Sequence, residues 1–583
     1  MNKFNSDVLI QLYKTPLLTQ RQLASSCNIS LGTVNNSLNE LKELNLIHQD
    51  NSLTQEGVKF LRNNKPKRAI ILAAGYGLRM VPINMESPKG LLQVKNEVII
   101  ERLIRQLHEV GITEIHIVVG FLKERFEYLI DLYGVELHVN PHYRDTLNLH
   151  SLAIVKDYIE DAYIVPSDIW SRHNPFNNVE LYSWYLVTDK ISPKSNVSPN
   201  RKGELVPSLL EGNSMLGIAF LTQSHASFLR EALEESVSHK QYKDAYWEEL
   251  LFSYHKRIYA RLLPQRDIVD INTYEQLRLI DDHSENLSNE AIATISKVFN
   301  IPEGEINHIE VMKKGMTNRS FLFQVHDNTY IMRIPGEGTD QLINRKQEAH
   351  VYNTIADYNL SDHTLYLNPE TGFKISQFIS QARVCNPLDA MDVDACMKKL
   401  RDFHSLKLHV NHEFDLIKEI NFYESLWGKN SSMYSDYQKT KEQVLSLQYL
   451  IDTPLSDKVL CHIDAVPDNF LLIDNRNIVK MIDWEYAAMQ DPLVDIAMFA
   501  IYSLYNRSQI DNLISSYFQN DPTVDMKIRI YAYIATCGLL WSNWCEYKYL
   551  LGVEFGEYSL RQYRYAKDFY RIVQQELQAK DQQ

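Results

Sequence analysis

No apolar run in this 583-residue chain reaches the length needed to cross a bilayer. The first residues, Met1-Asn2-Lys3-Phe4-Asn5-Ser6-Asp7, lack the basic-then-apolar order of a secretory signal. Cysteine is scarce. The six residues Cys27, Cys385, Cys396, Cys461, Cys537 and Cys545 contain no CxxC pair, which points to a reducing compartment and no zinc site. Positive charge is in deficit: 60 Lys and Arg against 74 Asp and Glu leave −14. That argues against bulk nucleic-acid binding by the whole chain, though not against one small DNA-reading module. No internal repeat or low-complexity tract is present. These absences suggest a cytoplasmic protein without membrane insertion. They leave the oligomeric state open, a homo-oligomer included. The length calls for two to four domains.

The most informative stretch reads Leu460-Cys461-His462-Ile463-Asp464, then Pro467-Asp468-Asn469, and further on Met481-Ile482-Asp483-Trp484-Glu485. It pairs a His-x-Asp-x4-Asn loop with an Asp that follows an apolar strand. Phosphoryl transfer needs such a set: a carboxylate to accept the proton of an attacking hydroxyl, and an Asn and a second Asp to hold Mg²⁺ on nucleotide phosphates. Asp464 is the candidate base, Asn469 and Asp483 the candidate metal ligands. Phe470–Ile473, a turn at 474–477 and Ile478–Ile482 predict a hairpin that returns Asp483 beside Asn469.

Three segments precede or contain these motifs. Residues 1–66 predict short helices and a small wing: Thr19 as an N-cap, a turn at Cys27-Asn28-Ile29, a helix from Ser30 to Ile47 with Val34, Leu38, Leu41 and Leu44 on one face, a wing over 48–53, and a closing helix over 54–63. Their own apolar periodicity suggests their own small core. Residues 67–282 predict an α/β domain, with strands such as Arg68–Leu72 and Ile115–Val119 alternating with helices. The stretch 190–206 reads as a loop, and the polar residues 281–290 as a linker. Residues 283–583 hold the phosphoryl-transfer set.

The strand Arg68–Leu72 runs into Leu72-Ala73-Ala74-Gly75-Tyr76-Gly77-Leu78-Arg79-Met80, followed by Pro88-Lys89. A dinucleotide fingerprint would want a third glycine where Met80 stands. Small residues at 73–75 and 77 instead let backbone N–H groups wrap a triphosphate, and Arg79 and Lys89 can neutralise a departing pyrophosphate.

That stretch resembles the LAAGxGxRM…PK signature of sugar-phosphate and choline-phosphate nucleotidyltransferases. Asn140-Pro141-His142-Tyr143 and Asn148–Leu152 are similar to bacterial CTP:phosphocholine cytidylyltransferases. The resemblance implies Mg²⁺ between two aspartates, which here match Asp168 and Asp270. It also implies an aromatic cage for a trimethylammonium, with Trp170, Trp184, Tyr246 and Trp247 as candidates and Asp244–Glu248 as the best-matching stretch. Each aromatic alone fits a core equally well.

The third segment opens with Lys313–Phe321, containing Gly315-Met316-Thr317-Asn318, and continues with Arg333-Ile334-Pro335-Gly336. Arg333 can reach nucleotide phosphates, and Glu348 on the next helical stretch can pair with it. With His462-Ile463-Asp464, Ile482–Tyr486, Asp491-Pro492 and Asp495, these residues resemble the choline/ethanolamine kinase and aminoglycoside phosphotransferase group. Trp541 and Trp544, i,i+3 neighbours on a helix, resemble the cage helix of choline kinases, with Tyr486 and Glu485 completing the box.

Residues 1–66 resemble a winged helix-turn-helix, in which Ser30, Thr33, Asn35, Asn36 and Asn39 would read bases. The expected architecture is therefore multidomain: a winged helix-turn-helix (α+β), an α/β nucleotidyltransferase with a Rossmann-like mixed sheet, and a protein-kinase-like α+β domain. The nucleotide-binding candidates are Leu72, Ala73, Ala74, Gly75, Gly77, Arg79, Lys89, Thr317, Asn318, Arg333 and Glu348. The resemblances imply a bifunctional enzyme using ATP, CTP and Mg²⁺ to convert choline through phosphocholine to CDP-choline, a source of phosphocholine for surface glycans or lipids. The alternatives are an ethanolamine version, or a DNA-binding regulator that senses choline or nucleotides.

Overall fold

A computed structural model of the chain describes all residues except 76, 78–79, 84–86, 144–145, 209, 238–241, 243–244, 254–256, 313–317, 337–341, 453–457, 520–521, 552, 554 and 583. It divides into two compact units, residues 1–294 with 309–311, and residues 295–308 with 312–583. Among the described residues no helix is long and apolar enough to cross a membrane.

The first unit opens with four helices, Lys3–Lys14, Gln20–Ser26, Leu31–Glu43 and Gln55–Asn63. Each starts where the side chain of the preceding residue accepts a helical N–H: Asn2, Thr19, Ser30 and Thr54. Thr19 and Gln22 complete a capping box. The wing is small, a bridge between Ile47 and Leu53. Asn35, Asn36 and Asn39 lie exposed along the third helix, while Val34, Leu38 and Leu41 are buried beneath.

These helices do not close a core by themselves. Val179, from the chain beyond residue 67, is buried in the same apolar cluster as Val8, Leu9 and Leu41, with Leu181 packed against it. Tyr182 donates to Asp7 at 2.6 Å and Lys14 donates to Asn177 at 2.6 Å. The apolar faces of such short helices bury more when they share a neighbour's surface.

The neighbour is a seven-stranded sheet in the order Tyr259–Leu263, Trp184–Ser192, Gly212–Leu221, Ala162–Pro166, Arg68–Ala73, Glu114–Val119, Glu136–Val139. Arg68–Ala73 is an interior strand, parallel to both its partners. It is buried along its length, which accounts for its continuous apolar run. Gly212–Leu221 runs antiparallel to both its neighbours, so the sheet is mixed. The stretch 190–206 is no simple loop. Trp184–Ser192 extends into it, and Val197–Pro199 pairs with Leu205–Pro207. Nor is 281–290 a free linker: Leu287 is buried, its carbonyl accepts from Tyr274 Oη, and Ser284 Oγ bonds Gln93 O.

In the second unit Asn318–Val325, Asn328–Pro335, Lys374–Gln377 and Thr364–Leu367 form an antiparallel sheet in that order. A helical half follows, whose core is built on Val524–Leu550, Leu493–Tyr502 and Glu557–Asp581. Gly538 lets two of these helices touch; a Cβ there would lie 2.8 Å from Gln562 O. The hairpin Phe470–Ile473 and Ile478–Met481 is present, turned by Asp474, Asn475 and Arg476 at positive φ.

Candidate functional site

Two constellations emerge, one in each unit. In the first, the central strand Arg68–Ala73 ends beside the strand Ala162–Pro166, and Ser167 N donates to Leu72 O at 3.1 Å. Asp168 follows at once. Its backbone carbonyl accepts from Ile271 N at 2.9 Å, and Asp270 pairs with Ile169 across an antiparallel bridge. Two aspartates 102 positions apart in sequence thus sit on paired strand ends.

Lys89 ties them together. Its Nζ lies 3.3 Å from Asp168 Oδ2 and donates to Asn272 Oδ1 at 2.7 Å, and Asn272 Nδ2 in turn bonds Asp270. Asn272 is the residue that sequence reasoning passed over, although it stands two places after Asp270. Gly77 has φ +67°, and a Cβ there would lie 2.9 Å from Lys89 Cγ. Leu72, Ala73 and Ala74 are buried and Gly75 is exposed at the mouth of this loop. Arg79 lies outside the described residues. Asp168 and Asp270 supply carboxylate oxygens that could hold a divalent cation.

The aromatic candidates of this unit separate. Trp247 is fully buried against Tyr185 in the apolar core, with no ring face open to a ligand, so its assignment to a cage is corrected. The Trp184 ring faces Arg261 at 3.6 Å and is equally buried. Trp170 faces Lys95 at 4.7 Å. Tyr246 is half-exposed. Beside them Glu248, the last residue of the Asp244–Glu248 stretch, is buried and accepts from Tyr185 Oη at 3.2 Å. Burial, the largest effect, pushes its carboxyl up to about 7.

In the second unit the loop bearing Asp464 is fixed by Asp495. That buried carboxylate accepts from the backbone N–H groups of His462 and Ile463, at 2.8 and 2.7 Å, and bonds His404 at 2.9 Å. His462 Nε2 reaches Ile482 O at 2.9 Å, tying the loop to the strand end that carries Asp483. Ile482 N donates to Asn469 O at 2.9 Å. Ile463 and Asp483 both adopt φ +65°, strained for side chains with a Cβ and held by these bonds.

Asn469 Nδ2 donates to Asp464 Oδ2 at 3.0 Å and to its carbonyl at 2.9 Å, leaving Asn469 Oδ1 for a cation. Desolvation, then the neighbouring Glu485, pushes Asp464 up to about 7, and the same pair of causes raises Asp483 well above the carboxylate range. Arg333 bonds Glu348 and lies 3.9 Å from both Asp483 and Glu485. Arg345, passed over in the sequence, bridges Glu348 at 3.0 Å and Glu485 at 3.2 Å. Asn318 donates to Glu485 at 3.0 Å. The Glu485 charge is therefore compensated by arginine. Thr317 lies outside the described residues.

Asn318, Arg333, Asp464, Asn469, Asp483 and Glu485 line a cavity of about 420 Å³. Its far wall is aromatic: Trp541 and Trp544 meet edge to face at 5.3 Å, and Tyr486 meets Trp541 at 5.9 Å. Trp541 Nε1 is engaged by Met498 Sδ at 3.0 Å, which fixes the ring. Lys548 Nζ lies 5.5 Å from the Trp544 ring. Acid, amide and carboxylate at one end and aromatic faces at the other fit a small alcohol carrying a cation.

Residues 309–536 match the choline/ethanolamine kinase family model, 69–169 match the MobA-like NTP transferase domain, and 1–48 match a winged helix-turn-helix DNA-binding model. The chain carries all three domains. Its nucleotidyltransferase domain is similar to the choline-phosphate cytidylyltransferase of Streptococcus pneumoniae, 29% identical over 234 residues, which are 38% of this chain and 99% of that one. Its kinase domain is similar to Protein LicA of Haemophilus influenzae, 26% identical over 264 residues, 42% of this chain and 95% of that one. A crystal structure of choline kinase LicA from Streptococcus pneumoniae aligns at 28% identity and TM-score 0.42, covering 48% of this chain and 96% of that one.

The glycine of the nucleotidyltransferase loop gives a direct test of its geometry. Gly77→Ala places a Cβ against Lys89 and costs roughly 1–2 kcal/mol of backbone strain. Nucleotidyl transfer should fall about tenfold or more in a steady-state assay, while phosphorylation by the kinase domain stays unchanged. Equal activity in the variant would show that Lys89 needs no such close approach.

Proposed function

We propose that the chain makes CDP-choline in two steps, phosphorylating choline with ATP and then coupling phosphocholine to CTP with release of pyrophosphate. One observation carries the reading. Two separate phosphate-handling constellations occur on one chain, and the kinase cavity ends in an aromatic wall suited to a quaternary ammonium.

In the kinase domain Asp464 accepts the proton of the choline hydroxyl as the oxygen attacks the γ-phosphorus. Its raised affinity for protons makes it a better base than an ordinary carboxylate near neutral pH. Asn469 orients it. Trp541, Trp544 and Tyr486 seat the trimethylammonium by cation–π attraction, worth about 2 kcal/mol when desolvated. Arg333, held by Glu348, faces the nucleotide phosphates. Asn469 and Asp483 would hold Mg²⁺, which supplies charge neutralisation on the phosphate oxygens.

In the nucleotidyltransferase domain the phosphate of phosphocholine attacks the α-phosphorus of CTP. Leu72, Ala73, Ala74, Gly75 and Gly77 cradle the triphosphate by backbone N–H groups, and Lys89 neutralises the departing pyrophosphate. Asp168 and Asp270 would hold the metal. The reaction asks the protein for positioning and charge more than for covalent chemistry.

The two steps should be separable. Asp464→Ala should abolish phosphocholine formation yet leave CDP-choline formation from supplied phosphocholine. Lys89→Ala should do the reverse, with a loss of roughly 100-fold or more. Loss of both activities in either folded variant would refute two independent sites.

The amine is tested at the aromatic wall. Trp544→Ala should raise the choline KM about 30-fold, the equivalent of a lost contact of about 2 kcal/mol, with little change in the ATP KM. A wild-type enzyme that phosphorylates ethanolamine as well as choline would overturn the cage and favour the ethanolamine reading.

For the helix-turn-helix we propose DNA binding through the exposed Asn35, Asn36 and Asn39. A gel shift with fragments of the parent genome should show salt-sensitive, site-specific binding that Asn36→Ala weakens. Binding indifferent to that change would remove the assignment.

A further inference from the structure

The edge of the seven-stranded sheet carries a group that neither reaction uses. His116 lies in the strand Glu114–Val119, and Glu136 and His138 in the edge strand Glu136–Val139. His116 is paired directly with Glu136 in the parallel register. His116 Nδ1 faces His138 Nε2 at 3.1 Å. Glu136 closes the triangle, with Oε2 3.4 Å from His116 Nδ1 and Oε1 3.6 Å from His138 Nε2.

Three observations give this triangle meaning. The first is its size. Ligands at about 2.0–2.2 Å around a tetrahedral zinc stand roughly 3.3 Å apart; His116 Nδ1 and His138 Nε2 are 3.1 Å apart, and each has a Glu136 carboxylate oxygen within 3.6 Å. The second is the way His116 is oriented. Its other nitrogen, Nε2, lies 3.2 Å from Glu114 Oε1, and Glu114 is itself anchored by Arg68 Nε at 2.9 Å. A carboxylate behind a histidine fixes the proton on Nε2 and turns the Nδ1 lone pair toward the triangle, the arrangement that metal-binding histidines use. The Tyr158 ring, stacked on His116 at 3.8 Å, holds the plane. The third is access. His116 is buried, whereas Glu136 is exposed on the rim, so an ion can enter and keep a water as its fourth ligand.

We propose that His116, Glu136 and His138 form a three-ligand site for a borderline divalent cation of the zinc class. Two imidazole nitrogens and one carboxylate suit such ions, whereas Mg²⁺ prefers six oxygens. Before the ion binds, His138 Nε2–H donates to His116 Nδ1. Binding replaces that shared proton. His138 takes its proton on Nδ1 instead, and both inward lone pairs go to the metal. The bound ion bolts the edge strand to its neighbour. Cysteine spacing could not reveal this site, because no cysteine takes part.

The test uses the full-length protein, stripped with a chelator and kept in excess Mg²⁺ so that both active sites are supplied with their own ion. Zn²⁺ is titrated in competition with a chromophoric chelator, and thermal unfolding is followed with and without one equivalent. The wild type should bind one equivalent more tightly than His138→Gln or Glu136→Gln, by about tenfold or more, and should melt higher when loaded. Co²⁺ should give the visible absorption of a four-coordinate ion in the wild type only. Glu114→Gln should weaken binding without changing the stoichiometry. Should His138→Gln lower stability by itself, the comparison of Zn²⁺ affinity in Glu136→Gln, whose side chain is on the surface, still decides. Equal Zn²⁺ affinity in the wild type and both ligand variants would overturn the proposal.

Discussion

Crowding of like charge governs the kinase half of the molecule. Glu348, Glu485, Asp483 and Asp464 share one end of a cleft in which Arg333 and Arg345 are the nearest guanidinium groups. The two glutamates are buried and paired, and the two aspartates open onto the cavity with their proton affinity raised. Carboxylates so placed cannot all ionise cheaply unless further positive charge arrives. A divalent cation held at Asn469 and Asp483 would bring that charge, so that its binding and the ionisation of the base would favour each other. Everything else in the unit serves the arrangement. Asp495 pins the loop from below, His462 bridges its two arms, and the long helix Val524–Leu550 delivers the aromatic wall.

The nucleotidyltransferase half solves a smaller version of the same problem. Two aspartates sit at the ends of paired strands, and Lys89 with Asn272 links them. The glycine that lets Lys89 approach belongs to the loop proposed to wrap the triphosphate. On that proposal one local conformation sets both the phosphate cradle and the position of the Lys89 ammonium. A side chain at Gly77 would disturb the two together.

How much of this is legible from sequence depends on distance along the chain. Asp464, Asn469 and Asp483 stand within one loop-hairpin unit, so their spacing reveals them. Trp541 and Trp544 reveal themselves by helical spacing. Arg345 and Asn272 act on residues far away in sequence, and nothing in their neighbourhood marks them. Trp247 misleads for the opposite reason: its motif is right, yet burial in the core decides what the ring touches. Val179 shows the same limit in the fold. Helical periodicity in residues 1–66 gives the helices and caps but not the foreign valine that completes their core. The histidine and glutamate pairing on the sheet edge exists only through register between strands, a long-range property.

The central claim is that one chain runs two consecutive phosphorus transfers on choline. The most direct measurement follows the purified full-length protein by phosphorus NMR with choline, ATP and Mg²⁺, adding CTP partway. The account predicts phosphocholine and ADP alone before CTP is added, then conversion of the accumulated phosphocholine to CDP-choline and pyrophosphate. Failure to form phosphocholine in the first stage, or persistence of phosphocholine beside unconsumed CTP in the second, would contradict it.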